Sequence, residues 1–141
     1  MKGYAMSVPA NLRSVPKLEV LKNARQLVIH TIKIVTNEKN FPKRYRWCFT
    51  NKLIDETISM YKNLIMANSI NVRAKDDKQL RRSYQTEALS QIYGILSYIH
   101  ISYELFGLSE SKIRYWVMIA EEEKVLIRKW RDSDADRYRN I

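Results

Sequence analysis

A chain of 141 residues that is 45% hydrophobic carries enough apolar surface for one core and is too short for several. Three glycines and three prolines argue against a loop-rich or all-β design, and the single cysteine, Cys48, excludes an intrachain disulfide or a cysteine-rich zinc site. Twenty-five lysines and arginines against fifteen acidic residues give a formal charge of +10, a field that favours polyanionic partners: nucleic acid, an anionic membrane or an acidic protein.

Residues 1–15 show no periodicity and include Pro9, which predicts a loose N-terminal arm ahead of a bundle over 16–131. Pro16 suits the first turn of a helix. Leu21, Ala24, Val28, Ile32 and Val35 then follow the three-four spacing of a core-facing stripe. Asn37 to Pro42 ends this helix, because proline cannot extend the hydrogen-bond ladder and forces Phe41 out of helical geometry. A second helix is expected over about Lys43 to Ser69. Its predicted stripe is Trp47, Ile54, Ile58, Tyr61 and Ile65, widened by Leu53, Met60 and Leu64, with Cys48 buried among apolar neighbours.

A polar, basic connection follows, and Asp76 or Asp77 is placed to cap a third helix running to Phe106. That helix presents Leu80, Tyr84, Ala88, Ile92, Ile95, Ile99, Tyr103 and Phe106 at helical spacing. Gly107 fits the left-handed residue past its end, and Ser109 fits the N-cap of a fourth helix. The fourth carries Ile113, Trp116, Val117, Ala120, Leu126, Ile127 and Trp130, leaving 132–141 as a flexible charged tail. Four long amphipathic helices on short links hide their stripes by packing together. The expected fold is therefore all-α, an antiparallel up-down-up-down four-helix bundle.

Motifs for catalysis are sparse. A di-metal bundle needs Glu-x-x-His pairs that this chain lacks, and the His100 and Glu104 pair has no second copy. Glycine at positions 3, 94 and 107 alone cannot write a phosphate loop or a dinucleotide fingerprint. The run Glu121-Glu122-Glu123 reads as a solvated face. A non-enzymatic protein without metal or cofactor is expected. The longest uncharged stretch, Ala88 to Tyr103, is shorter than the ~20 residues that span a bilayer, and Met1 to Met6 lacks a signal-peptide core. A cytoplasmic location and no membrane partner are the corresponding expectations.

The cations are better organised. Eleven lie between Lys39 and Arg82 against four acids. Lys43, Arg44 and Arg46 open the second helix; Arg73, Lys75, Lys78, Arg81 and Arg82 surround the start of the third; Arg128, Lys129 and Arg131 close the fourth. These eleven are the candidate contacts to phosphate or to a protein partner, spread over several ends of the bundle rather than gathered in one groove. Tyr84, Tyr93, Tyr98, Tyr103 and Tyr115 suit core rims and interfaces, with base stacking as the alternative role.

Phe41-Pro42-Lys43-Arg44-Tyr45-Arg46, the long helix ending at Ala67-Asn68, and Leu108-Ser109-Glu110-Ser111-Lys112 leading to Trp130 resemble the accessory variability determinant family of diversity-generating retroelements. The resemblance spans about residues 17–132 and extends to the four-helix proteins of ribosomal-RNA intervening sequences. Relatives often carry two glycines before the last tryptophan where this chain has Arg128-Lys129. The resemblance implies a non-enzymatic four-helix bundle that assembles as a homo-oligomer, a pentamer, and binds both a reverse transcriptase and nucleic acid, RNA or DNA. The expected function is accordingly that of a basic retroelement accessory protein; the alternative is an adaptor whose positive surface docks an acidic protein.

Overall fold

The computed structural model describes residues 17–141; the arm expected over 1–15, and Pro16 in its first-turn position, lie outside them. Four α-helices make up this region: α1 (Lys17–Val35), α2 (Asn51–Asn68), α3 (Lys75–Phe106) and α4 (Glu110–Arg137). Among the described residues there is no strand. The expected all-α four-helix bundle is what the chain forms.

Each helix packs against two others, α1 on α2 and α4, and α3 on α2 and α4, so the four enclose one core. Cross-helix contacts run in opposite sequence order. Asn23 meets Glu123 while Thr31 meets Trp116; Arg81 meets Asp134 while Tyr93 meets Arg128; Asn63 meets Gln91 while Phe49 meets Tyr98. Leu27, Leu53, Met60, Leu64, Ile92, Ile95, Ile99, Trp116 and Ile127 are completely buried. The Trp116 indole N–H donates to the Thr31 hydroxyl at 2.9 Å, both groups lying in the interior. Thr31→Val removes that acceptor at nearly constant volume. It should cost about 1–3 kcal/mol in denaturant unfolding, because the indole N–H is then buried without a partner.

The turns follow their residue chemistry. Gly107 adopts φ 62° and ψ 39°, the left-handed conformation, and its amide returns to the Tyr103 carbonyl. Leu108 then tucks in at 6% exposure. Ser109 holds the N-cap position of α4, although its hydroxyl pairs with that of Ser111 rather than with the helix backbone. At the start of α3 the N-cap position belongs to Ala74, and Asp77 sits inside the helix, its carboxylate accepting the amides of Arg73 and Ala74 at 3.1 Å. Asp77, one of the two expected caps, thus closes the helix start by accepting backbone N–H groups, from the third helical position rather than the N-cap.

Larger departures occur in and before α2. Lys43–Tyr45 is a short 3-10 turn and Arg46–Thr50 a π-helical turn, so the α-helix begins only at Asn51. The wider π-turn inserts a residue into the helical count. Phe49 and Thr50 point inward, and Trp47, expected in the core, is 83% exposed. Cys48 is exposed too, in contrast to its expected burial. Within α2 the buried line is Leu53, Thr57, Met60, Leu64 and Ala67, while Ile58 and Ile65 of the expected stripe face outward. Thr57 is admitted to the core because its hydroxyl donates to the Ile54 carbonyl at 2.8 Å. Ile32 of α1 and Leu80 of α3 are likewise exposed rather than central. The α1–α2 connection closes one end of the bundle with an aromatic cluster: Phe41, 2% exposed, packs edge-on to Phe106 and Trp116 at 4.9 and 6.0 Å between ring centres.

Candidate nucleic-acid interface

The opposite end of the bundle brings together two cation clusters far apart in sequence. Because α3 and α4 run past each other in opposite order, Lys78 to Arg82 at the start of α3 lies beside Arg128 to Arg139 at the end of α4. Lys78 donates to the Tyr138 carbonyl at 3.1 Å, and Arg131 to the Thr86 hydroxyl at 3.3 Å. Further along the seam Arg128 donates to the Tyr93 hydroxyl and lies 5.6 Å above that ring, and Lys124 approaches the same ring at 5.5 Å. From Lys78 to Tyr93 the seam extends about 23 Å at 1.5 Å per residue. Among the described residues, Lys78, Arg82, Arg128, Lys129 and Arg131 form no ion pair with a carboxylate. Lys78 and Arg82 therefore share one face with Arg128 and Arg131, although the sequence spread the cations over several ends without one groove.

Arg81, a candidate phosphate contact in the sequence, has a different role. It is 4% exposed and engages Asp134 through Nε and Nη2 at 2.6 and 3.1 Å. Its Nη1 reaches the carbonyls of Ala67 and Ile70 at 3.4 and 3.3 Å. The guanidinium also stacks on Trp130, 5.1 Å from the ring centre, with Tyr138 at 5.8 Å. Gln85 donates to Asp134 at 2.8 Å and completes the network. With its donors committed inside the fold, Arg81 ties α3 and the α2–α3 connection to α4 and is not free for phosphate.

The same network corrects the expected tail. Residues 132–137 continue α4 to Arg137, and Asp134 is 8% exposed because its carboxylate is drawn inward by Arg81 and Gln85. A cavity of about 320 Å³ opens beside it, and its lining includes Lys78, Arg81, Arg82, Asp134, Tyr138 and Arg139. Of the cations lining it, Lys78, Arg82 and Arg139 retain N–H donors for an incoming anion, although Arg139 also pairs with Asp136 (Arg81 is consumed by Asp134).

The remaining candidates lie elsewhere. Arg73 and Lys75 are exposed on the α2–α3 connection and the first residue of α3. Lys43 and Arg44 are exposed at the far end, and Arg46 pairs with Glu38 at 3.0 Å. Of the tyrosines, Tyr84, Tyr98 and Tyr103 are half-buried at the core rim, and Tyr93 and Tyr115 are 44% and 49% exposed.

Glu123, expected on a solvated acidic face, is completely buried. Its Oε1 accepts the Asn23 side-chain amide at 2.9 Å, and that amide also donates to the Ile119 carbonyl. Its Oε2 has no partner. Burial pushes this carboxyl up to about 8, the Asn23 hydrogen bond opposing and Glu122 adding to the rise. His30 stands half-buried and edge-on to Tyr115 at 4.9 Å, its pKa lowered by burial and then by Lys33. Among the described residues no three His, Cys, Asp or Glu side chains gather as a metal site requires, and no helix is long and apolar enough to cross a membrane.

No family model matches the chain, and no curated protein or solved structure is detectably similar to it.

Proposed function

We propose that this chain is a non-catalytic nucleic-acid-binding protein whose phosphate-binding surface is the α3–α4 seam. The observation that carries the reading is the convergence of Lys78 and Arg82 from α3 with Arg128 and Arg131 from α4. None of the four is balanced by a carboxylate among the described residues. A line of cations about 23 Å long suits several successive phosphates, and their neutralisation releases counterions as the main source of affinity. Arg73, Lys75 and Lys129 extend the positive field at the same end. Binding that rests on a row of cations is expected to follow charge rather than sequence.

The motif resemblance to accessory variability determinants supports the further reading that this activity serves a retroelement, where the protein would hold template RNA or nascent cDNA for a reverse transcriptase. Assembly of several copies belongs to the same proposal. It is supported by the apolar side chains that α1 and α2 leave outside the core: Leu18, Ile29, Ile32, Ile58 and Ile65.

The test is equilibrium binding of RNA, single-stranded DNA and duplex DNA across a salt series, on protein of known mass. Log affinity should fall linearly with log salt. Arg82→Ala should weaken binding about equally for every sequence and reduce the slope by about one. Absence of binding at low salt would overturn the reading and leave the seam as a docking face for an acidic protein.

A further inference from the structure

The end of the bundle away from the seam carries the most exposed large apolar side chain described, the indole of Trp47 at 83%. We infer that Trp47, with Lys43 and Arg44, forms a stacking site for an unpaired base of single-stranded nucleic acid. The site rests on the nucleic-acid reading above but shares no residue with the α3–α4 seam.

Its construction is specific. The π-helical turn Arg46–Thr50 turns Phe49 and Thr50 inward and leaves Trp47 outward. Such turns are uncommon and recur at functional sites. The residues on either side of Trp47 are anchored: Tyr45 and Phe49 both pack on Phe106, at 5.2 and 6.0 Å, and Phe49 also meets Tyr98 at 5.5 Å. The indole thus projects from a fixed base rather than from a loose loop. Lys43 and Arg44, four and three residues before it, are exposed and form no ion pair among the described residues, whereas Arg46 is occupied by Glu38. Arg44 is steadied 5.1 Å above the Tyr45 ring.

A flat apolar face three and four residues along the chain from two cations without a carboxylate partner matches the chemistry of a nucleotide, whose base stacks while its phosphate is neutralised. Duplex DNA keeps its bases inside the stack and cannot use such a face. The site therefore adds selectivity for unpaired strands, which the charged seam alone does not supply. Phe49 meets Tyr98, five residues past Tyr93 on α3, so the site lies about 8 Å along the bundle beyond the near end of the seam and about 30 Å beyond Lys78.

The test uses intrinsic fluorescence. The other two tryptophans, Trp116 and Trp130, are 0% and 1% exposed, so only the Trp47 indole can contact a base from solution. The full chain is titrated at low salt with a short single-stranded oligodeoxynucleotide, an abasic strand of equal length, and a duplex of the same sequence. The base-bearing strand is expected to quench the emission, and the abasic strand to bind without quenching. Trp47→Leu is expected to lose the quenching and to bind the base-bearing strand about 5- to 100-fold more weakly, with duplex affinity unchanged. Its melting temperature should match the parent, because the replaced ring is outside the core. Binding of the base-bearing strand with unchanged emission and wild-type affinity in Trp47→Leu would overturn this site and leave the seam intact. Equal quenching by the abasic strand would also overturn it. Failure of all three probes to bind would overturn the seam and the stacking site together.

Discussion

Arg81→Ala is expected to lower the melting temperature by roughly 10–20 °C, corresponding to a loss of about 3–5 kcal/mol. The replacement leaves Asp134 at 8% exposure with Gln85 as its remaining side-chain donor, takes carbonyl contacts from the end of α2 and the α2–α3 connection, and removes the cation stacked on Trp130 of α4. The loss reflects the isolated carboxylate more than the value of the pair, because a buried ion pair roughly offsets its own desolvation. Arg81→Met combined with Asp134→Leu should accordingly recover most of the stability. Thermal unfolding followed by circular dichroism distinguishes the two. Arg81→Ala with wild-type stability and weakened nucleic-acid binding would instead make Arg81 a phosphate contact.

A second large effect is expected at Glu123. Its carboxyl lies at about 8 in the folded protein against an ordinary 4.5. The folded state keeps a proton that the unfolded chain releases, so this group's contribution to stability is complete below 4.5, declines as pH rises, and levels off above about 8. The whole span is worth roughly 5 kcal/mol, of which roughly 2 kcal/mol is lost between pH 6.5 and 8. His30 overlaps only the lower edge of that window, because its lowered pKa makes its contribution rise with pH up to and slightly past the ordinary 6.5. Glu123→Gln keeps the shape of the protonated acid and still accepts from Asn23. Its stability should therefore not fall between pH 6.5 and 8, while that of the parent does. Parallel curves for the two proteins in denaturant titrations would show that Glu123 is ionised inside the fold at neutral pH.

Local chemistry made much of the architecture readable. Gly107 marks the end of α3 because a residue without Cβ is at home at positive φ, and the apolar positions of α3 from Ala88 to Ile99 lie inward as their spacing indicates. The face of α2 was not readable in the same way. Isoleucines and leucines both recur at helical intervals there, and the π-turn before Asn51 shifts the count by one residue. Which line faces inward is settled by packing against α1 and α3, which no window of α2 contains. The site divides similarly. Clusters of lysine and arginine are plain in the sequence, but their union depends on α3 and α4 passing in opposite directions. The withdrawal of Arg81 depends on an aspartate 53 residues away, in a stretch whose charge reads as solvated. Burial of Glu123 was hidden by its two acidic neighbours, which suggested a uniformly wet turn.

The buried polar contacts also fix the axial position of the helices. Apolar surfaces tolerate sliding, since one leucine row fits another nearly as well a turn away. Here the α1–α4 seam carries Thr31 with Trp116 and Asn23 with Glu123; the α2–α3 seam carries Gln91 between Asn63 and Ser59; the α3–α4 seam carries Arg81 with Asp134. Sliding any of these pairs by one turn, about 5.4 Å, would strand a donor or a charge in the interior. The contacts act as notches that admit one alignment. The cations facing each other across α3 and α4 thereby acquire a fixed stagger, so the spacing presented to a ligand is written into the core rather than into the surface.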